Sequence, residues 1–298
     1  MRNSRITLIV AFVLMLLARS AQAWFAEGHK IVAIIAAQNL TPSTRSHAAK
    51  ILSVADDPNA VESAMATASI RPDTEYREED RSTAPWHYID ICLQDKPQDL
   101  PARCPDGDCV TAKIDEYARR LRDAHYDKWG AAGDLAFLIH LVGDIHQPLH
   151  TTTNADRGGT CQQVNVAPAE ENLHYVWDDG VVVVLESELG THDPVATARK
   201  LEELYPVAQN TFDWISGGSA RIAWESHQVA RSQVYGALGI PERPCSLHSC
   251  DPATSAPLTL SQDYMKREAT VAGQQLARAG YRLAALLNGT WPPANHTR

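Results

Sequence analysis

Apolar residues recur at helical spacing along most of this chain. Glu27 to Leu40 places Ile31, Ile34, Ile35 and Leu40 on one face. Thr41-Pro42-Ser43 reads as a helix start, because a first-turn proline lacks only an N–H that has no partner there anyway. That second helix runs through Ala48, Ile51 and Leu52. Thr111 to Trp129 predicts another, with Ile114, Tyr117, Ala118 and Leu121 aligned. Ala131 to Gln147 is apolar almost throughout, the pattern of a helix buried on all sides. Val195–Ile215, Ala220–Tyr235 and Leu260–Leu287 complete the predicted helices. Only Val181 to Ser187 (VVVVLES) looks strand-like, and one such run is no basis for a sheet. Arg71–Ala84 and Ile240–Leu258 are polar and read as ordered loops, the second rich in Pro, Ser and Cys. Without repeats or low-complexity tracts, the pattern predicts an all-α, single-domain, multi-helix fold over residues 24–298.

Residues 1–23 stand apart. Arg2 and Arg5 precede an apolar run from Ile6 to Leu17, and Ala21-Gln22-Ala23 forms an A-x-A cleavage pattern. The run is too short to span a bilayer and ends at a cleavage site, so it predicts a secretory signal peptide. Cleavage would remove Arg2, Arg5 and Arg19, three positive charges, taking the net charge from −9 to −12. All six cysteines lie beyond it, at positions 92, 104, 109, 161, 245 and 250, and none forms a CxxC pair. Disulfides are therefore expected rather than a thiolate metal site, with Cys104 and Cys109 closing a small loop. The expected location is secreted or periplasmic, as a monomer without stable membrane association. The acidic balance excludes a protein that holds nucleic acid on a basic surface. It leaves open one that meets phosphate through bound cations.

The candidate chemistry concentrates in FLIHLVGDIHQPLH. His140 and Asp144, four apart, share a helical face. Pro148 cannot donate to the carbonyl of Asp144, so the helix should end there and let His150 turn back toward the same region. His146 lies about 200° around the helix from Asp144, at roughly 100° per residue, and is expected to be a hydrogen-bonded structural histidine rather than a ligand. NLHYVWDDG repeats the four-residue spacing with His174 and Asp178. His87, Asp90, Asp73 and His29 come from PWHYID, RPDTEY and WFAEGH. Taken singly, each could be a cap or a surface charge. Together, in apolar Trp-rich contexts, imidazole and carboxylate without thiolate suit zinc in an open site.

In these motifs the chain resembles the S1/P1 nucleases, zinc-dependent enzymes that share a phospholipase C/P1 nuclease-like fold with bacterial zinc phospholipases C. WFAEGH, APWHYID, FLIHLVGDIHQPLH, NADRGG and NLHYVWDDG carry the resemblance, in order, over nearly all of residues 24–298. It implies three zinc ions per chain. One would take Asp73, His87, His140 and Asp144. A second would take the α-amino group and carbonyl of Trp24 with His29 and Asp144, so that Asp144 bridges two ions. The third would take His150, His174 and Asp178. Signal cleavage directly before Trp24 would free the amine, completing the cluster only after export.

The implied activity is cleavage of single-stranded DNA and RNA to 5′-nucleotides by a zinc-bound hydroxide, with 3′-nucleotidase activity. The implied catalytic residues are Asp144, Arg77 and Asp90, with Tyr88 and Asp90 on the substrate. The family uses an arginine on the phosphate, held by an aspartate that Asp90 matches. Its motif puts that arginine three residues after the metal-binding aspartate, where this chain has Tyr76. Arg77 follows one residue later and Arg71 precedes Asp73; Arg77 is the candidate, and a solvated charge is the competing reading. Tyr88 would stack a nucleobase, or else be a core tyrosine. Asp90, Gln147 and His146 are candidates by proximity for orienting the ligands. The family's DRGGN pattern departs here to Asp156-Arg157-Gly158-Gly159-Thr160, without the Asn. Two rivals stand: a zinc phospholipase C of the same fold, and a non-catalytic zinc-binding secreted protein.

Overall fold

The computed structural model describes residues 24–166, 169–206, 218–247, 250 and 257–292. The expected signal peptide lies outside them. The helices are α1 (Ala26–Gln38), α2 (Pro42–Leu52), α3 (Pro58–Ala68), α4 (Glu75–Glu79), α5 (Val110–Asp123), α6 (Gly130–Asp144), α7 (Leu173–Tyr175), α8 (Val181–Leu189), α9 (Pro194–Leu204), α10 (Gly218–Val229) and α11 (Gln262–Thr290). A small sheet of β1 (Gln163–Val166), β2 (Ala169–Asn172) and β3 (Leu258–Thr259) has the order β2-β1-β3, with β1 antiparallel to β2 and parallel to β3. The fold is all-α, as the pattern predicts.

α1 buries Ile31, Val32, Ile34 and Ile35 and packs against α11, α3 and α9. Its contact with α11 is close because Gly280 has no side chain; a Cβ there would lie 2.5 Å from Ile35 Cβ. α2 starts as expected, with Thr41 Oγ1 accepting from Thr44 N and Pro42 in the first turn. α3, which the apolar pattern does not predict, is set by its cap: Asp57 accepts from Asn59 N and Ala60 N ahead of Pro58. α5 stops at Asp123, short of Trp129, where Ala124 turns left-handed and the apolar spacing has already ended. The second half of the Val195–Ile215 helix, residues 207–217, lies outside the described residues, and α9 covers the first half.

Two expectations are corrected. Val181–Ser187 is helical, within α8, not strand-like. It continues a wide helical turn over Val176–Gly180, buries Val181, Val182 and Leu185 while Val183 faces out, and packs on α11. Packing of that face outweighs the few tenths of a kcal/mol by which valine disfavours helix. The Arg71–Ala84 segment is not a plain loop but a chain of short helical turns: Arg71–Asp73, α4, then Arg81–His87. Ion pairs four residues apart, Arg71–Glu75 at 2.7 Å and Arg77–Asp73 at 3.1 Å, support these turns.

α6 is buried from Gly133 to Asp144. Under it lies an aromatic cluster that ties it to the Arg71–His87 turns: Phe137 stacks on Tyr117 at 5.0 Å and meets Tyr76, Trp86 and Trp129 within 5.5 Å. In the first turns of α6, Asp134 is fully buried beside Asp127. Burial, then the Asp127 carboxylate, push Asp134 up to about 8. The unfolded chain ionises this group near its ordinary 3.8, while the folded chain keeps the proton to about 8. The proton deficit is therefore on the unfolded side, and stability falls as pH rises between those values. Asp134→Asn should flatten that slope and raise stability at pH 8 over the parent. Denaturant unfolding of both proteins at pH 5 and pH 8 checks this; an unchanged slope would count against it.

Candidate metal centre

The end of α6 organises the site. The helix stops at Asp144, and Gln147 takes the extended geometry expected before proline (φ −78°, ψ 117°). Pro148–Thr151 then forms a tight turn that carries His150 back. His140 and Asp144 thus sit at the C-terminal end of a buried helix, where its dipole favours a cation.

Three groups of side chains converge there: His29 with Asp73 and His140, His87 with His140 and Asp144, and His150 with His174 and Asp178. Asp144 presents one oxygen to each side. Oδ2 lies 2.9 Å from His87 Nδ1 and 3.3 Å from His140 Nε2, while Oδ1 lies 3.3 Å from His29 Nε2. Asp73 comes within 3.7 Å of His87 and 3.6 Å of His140. His29 stacks on His140, ring centroids 3.9 Å apart. This approach to α6 needs Gly143, since a Cβ there would lie 2.7 Å from His29 Nδ1. Trp24 is fully buried; its indole Nε1 donates to Gly143 O at 3.1 Å, and Phe25 N donates to Asp178 O at 3.0 Å. Residue 24 is thereby held between the α6 end and Asp178.

The third group shows most directly that a cation fits. His140, His150 and His174 each place Nδ1 against a backbone carbonyl: Ser69 at 2.7 Å, His87 at 2.8 Å and Gly158 at 2.7 Å. A carbonyl only accepts, so Nδ1 carries the hydrogen and, in the neutral ring, Nε2 is a bare lone pair. Nε2 of His150 and Nε2 of His174 face each other at 3.1 Å, with Asp178 3.7 and 3.3 Å away. Two lone pairs at that distance repel unless a cation lies between them. Burial keeps the rings neutral and available: it holds His140 low, together with His140 it holds His87 well below the ordinary imidazole value, with His174 it does the same to His150, and it lowers His174 to about 4. Burial also pushes Asp144 and Asp178 well above the carboxylate range, so an anion in either place needs positive charge beside it. Imidazole and carboxylate without thiolate are donors that suit zinc.

Two of the groups open onto a cavity of about 440 Å³, one through His87 and the other through His150 and His174. Leu149, Arg77, Tyr88, Asp90 and Arg157 also line it. Arg77 Nη1 donates to Asp73 Oδ1 at 3.1 Å, so it is tied to the first cluster rather than being a plain surface charge. Tyr88 is 39% exposed, which excludes the core reading. Asp90 is pushed up to about 7 by burial and by Asp156, against the opposing charges of Arg157 and Arg103. His146 turns away: Nδ1 donates to Val142 O at 2.7 Å and Nε2 meets Arg282 at 3.0 Å. Gln147 Nε2 reaches Asp178 Oδ1 at 2.5 Å. The sequence reading gave Arg157 no place among the site residues. Its only signal there was membership of the NADRGG motif.

The disulfides expected from the cysteine pattern are present. The six cysteines pair as Cys92–Cys245, Cys104–Cys109 and Cys161–Cys250. Among the described residues no helix is long and apolar enough to cross a membrane.

The chain is similar in sequence to known nucleases. The chain is 30% identical to Endonuclease 4 of Arabidopsis thaliana, over 93% of its own length and 92% of that protein. It is 28% identical to Nuclease S1 of Aspergillus oryzae, covering 91% and 93%, and 27% identical to Nuclease P1 of Penicillium citrinum, covering 89% and 97%. The family model for S1/P1 nuclease matches residues 24–291, the whole stretch that builds the three side-chain groups, and the chain belongs to that family.

Proposed function

We propose that this chain is an exported zinc-dependent nuclease that cuts single-stranded DNA and RNA to 5′-nucleotides and also acts as a 3′-nucleotidase. Its family membership makes it a phosphodiester hydrolase. The observation that carries the finer reading is the clustering of three His/carboxylate groups, two of which, through His87 and through His150 and His174, line a cavity that also holds Tyr88 and Arg77.

Three zinc ions fit the donors. Asp73, His87, His140 and Asp144 would hold one; His29, Asp144 and the amine and carbonyl of Trp24 a second; His150, His174 and Asp178 the third. Zinc bound by these residues would supply a water made nucleophilic near neutral pH and would draw charge off the phosphate and the leaving 3′ oxygen. The chain's own groups do the rest. The carbonyls of Ser69, His87 and Gly158 fix three imidazole tautomers, and Gln147 holds Asp178. Arg77, steadied by Asp73, offers its guanidinium to a phosphate oxygen. Tyr88 offers an exposed ring for base stacking, and Asp90 a carboxyl for the base edge. With Asp90 ionising near 7, that carboxyl accepts as an anion above this pH and can donate a hydrogen below it.

Residues 1–23 serve as the export signal, and release of Trp24 as the new N-terminus supplies the last donor. The resulting location is outside the cytoplasm, secreted or periplasmic, where the three disulfides persist.

The test of the whole reading is a metal count on the processed protein joined to assays on single-stranded DNA, RNA and phosphatidylcholine. Three zincs per chain with nucleic-acid hydrolysis are expected; hydrolysis of the lipid alone would favour the phospholipase, and zinc without any turnover the binding protein. Asp144→Ala should lose the two zincs it would share, and activity should fall by roughly a thousandfold or more, since a catalytic metal supplies several kcal/mol of transition-state stabilisation. Full activity in that variant would sink the assignment. A protein carrying one extra residue before Trp24 should lose one zinc and most of its activity; three zincs by elemental analysis would remove the amine from the ligand set.

A further inference from the structure

The loop after Thr153 leaves ordinary backbone geometry. Ala155 and Arg157 have φ of 57° and 55°, and Gly158 and Gly159 follow at 61° and 82°. A residue with a Cβ pays about 1 kcal/mol or more for that conformation, so two such residues must be held in place. The holder is Asp156. It is fully buried, its carboxylate accepts the Tyr235 hydroxyl at 3.0 Å and Asn154 N at 3.0 Å, and its carbonyl accepts Cys161 N at 3.0 Å. Gly158 closes the loop against the metal groups through its carbonyl on His174, and a Cβ there would strike Leu149 O at 2.5 Å.

What this frame presents is Arg157. Its side chain is exposed and lines the cavity, while its neighbour Asp156 is buried. Among the described residues no carboxylate lies within 4.0 Å of its guanidinium and no hydrogen bond is made to it, whereas Arg77 is bound to Asp73. Its charge is felt at Asp90 and Tyr88. An unengaged guanidinium on the lining of a cavity that also holds three imidazoles is a ready partner for an oxyanion such as phosphate, two of whose oxygens its planar fork can pair. A cavity of about 440 Å³ is of the size that encloses a small ligand, here one nucleotide, and leaves the adjoining phosphate of a strand at the rim.

Resting on the nuclease reading, we propose that Arg157 binds the phosphodiester adjacent to the one being cut, and so makes the enzyme prefer strands over substrates with a single phosphate. Arg77 and Arg157 then divide the work: one acts where the metal groups lie, the other reads the continuation of the chain.

The test uses the processed, zinc-loaded protein with two substrates, octathymidylate and the dinucleoside monophosphate dTpdT, which has only the scissile phosphate. Arg157→Asn removes the charge and tolerates left-handed backbone, so the loop is kept. KM for the octamer should rise roughly five- to tenfold with kcat within about twofold, the loss of one exposed charged hydrogen bond. The octamer-to-dinucleotide ratio of kcat/KM should fall by the same factor. The slope of log(kcat/KM) against log salt should become shallower by about 0.7 for the octamer. Arg157→Lys, which keeps the charge, should restore most of the ratio. An unchanged ratio, an equal loss on both substrates, or loss of zinc from the Asn variant would each overturn the proposal. If the parent cuts neither substrate, the nuclease reading itself falls, before any variant is compared.

Discussion

Everything in this structure depends on placing like-polarised groups face to face. Neutral imidazoles meet through lone pairs, His150 against His174 at 3.1 Å, and the Asp144 and Asp178 carboxyls lie fully desolvated among them. In a low-dielectric interior such an arrangement is held apart by its own electrostatics unless positive charge enters. The fold supplies the restraint: α6 is buried along its last three turns, the aromatic cluster clamps it from below, and backbone carbonyls fix the rings. Rigidity made of apolar packing is what keeps a polar cluster in a shape only a cation completes.

The same constraint explains how an acidic protein handles a polyanion. With net charge −9 in the full chain, long-range attraction to nucleic acid is absent. Attraction has to be local, from cations that the groups would hold and from guanidinium groups at the cavity. The buried carboxylates serve both needs: Asp73 ties Arg77 to the metal groups, and Asp156 sets the backbone that turns Arg157 outward.

Much of the site was legible because its signals are local. His140 and Asp144, and His174 and Asp178, are four-residue pairs on helices, and Pro148 announces the turn that returns His150. The outward direction of His146 follows from helical angle alone, and the structure shows it bonded to Val142 and Arg282. What was not legible is set by tertiary context. The valines of Val181–Ser187 look strand-like because their helix is set by the wide turn before it and by packing on α11. The turns over Arg71–His87 depend on side-chain ion pairs and aromatic clamping rather than apolar spacing. Arg157 is invisible in sequence because its direction comes from a positive φ, and that φ comes from Asp156 being buried against Tyr235, far away in the chain.

Two of the disulfides deserve a different reading from stability. Cys245 and Cys250 fasten to Cys92 and Cys161, and Leu247, which lines the cavity, lies between those two anchor points. Leu247 is therefore held at the cavity by a covalent tether two residues away, and it is not part of the hydrophobic core. Its side chain can be exchanged for a larger or smaller one without disturbing the helices.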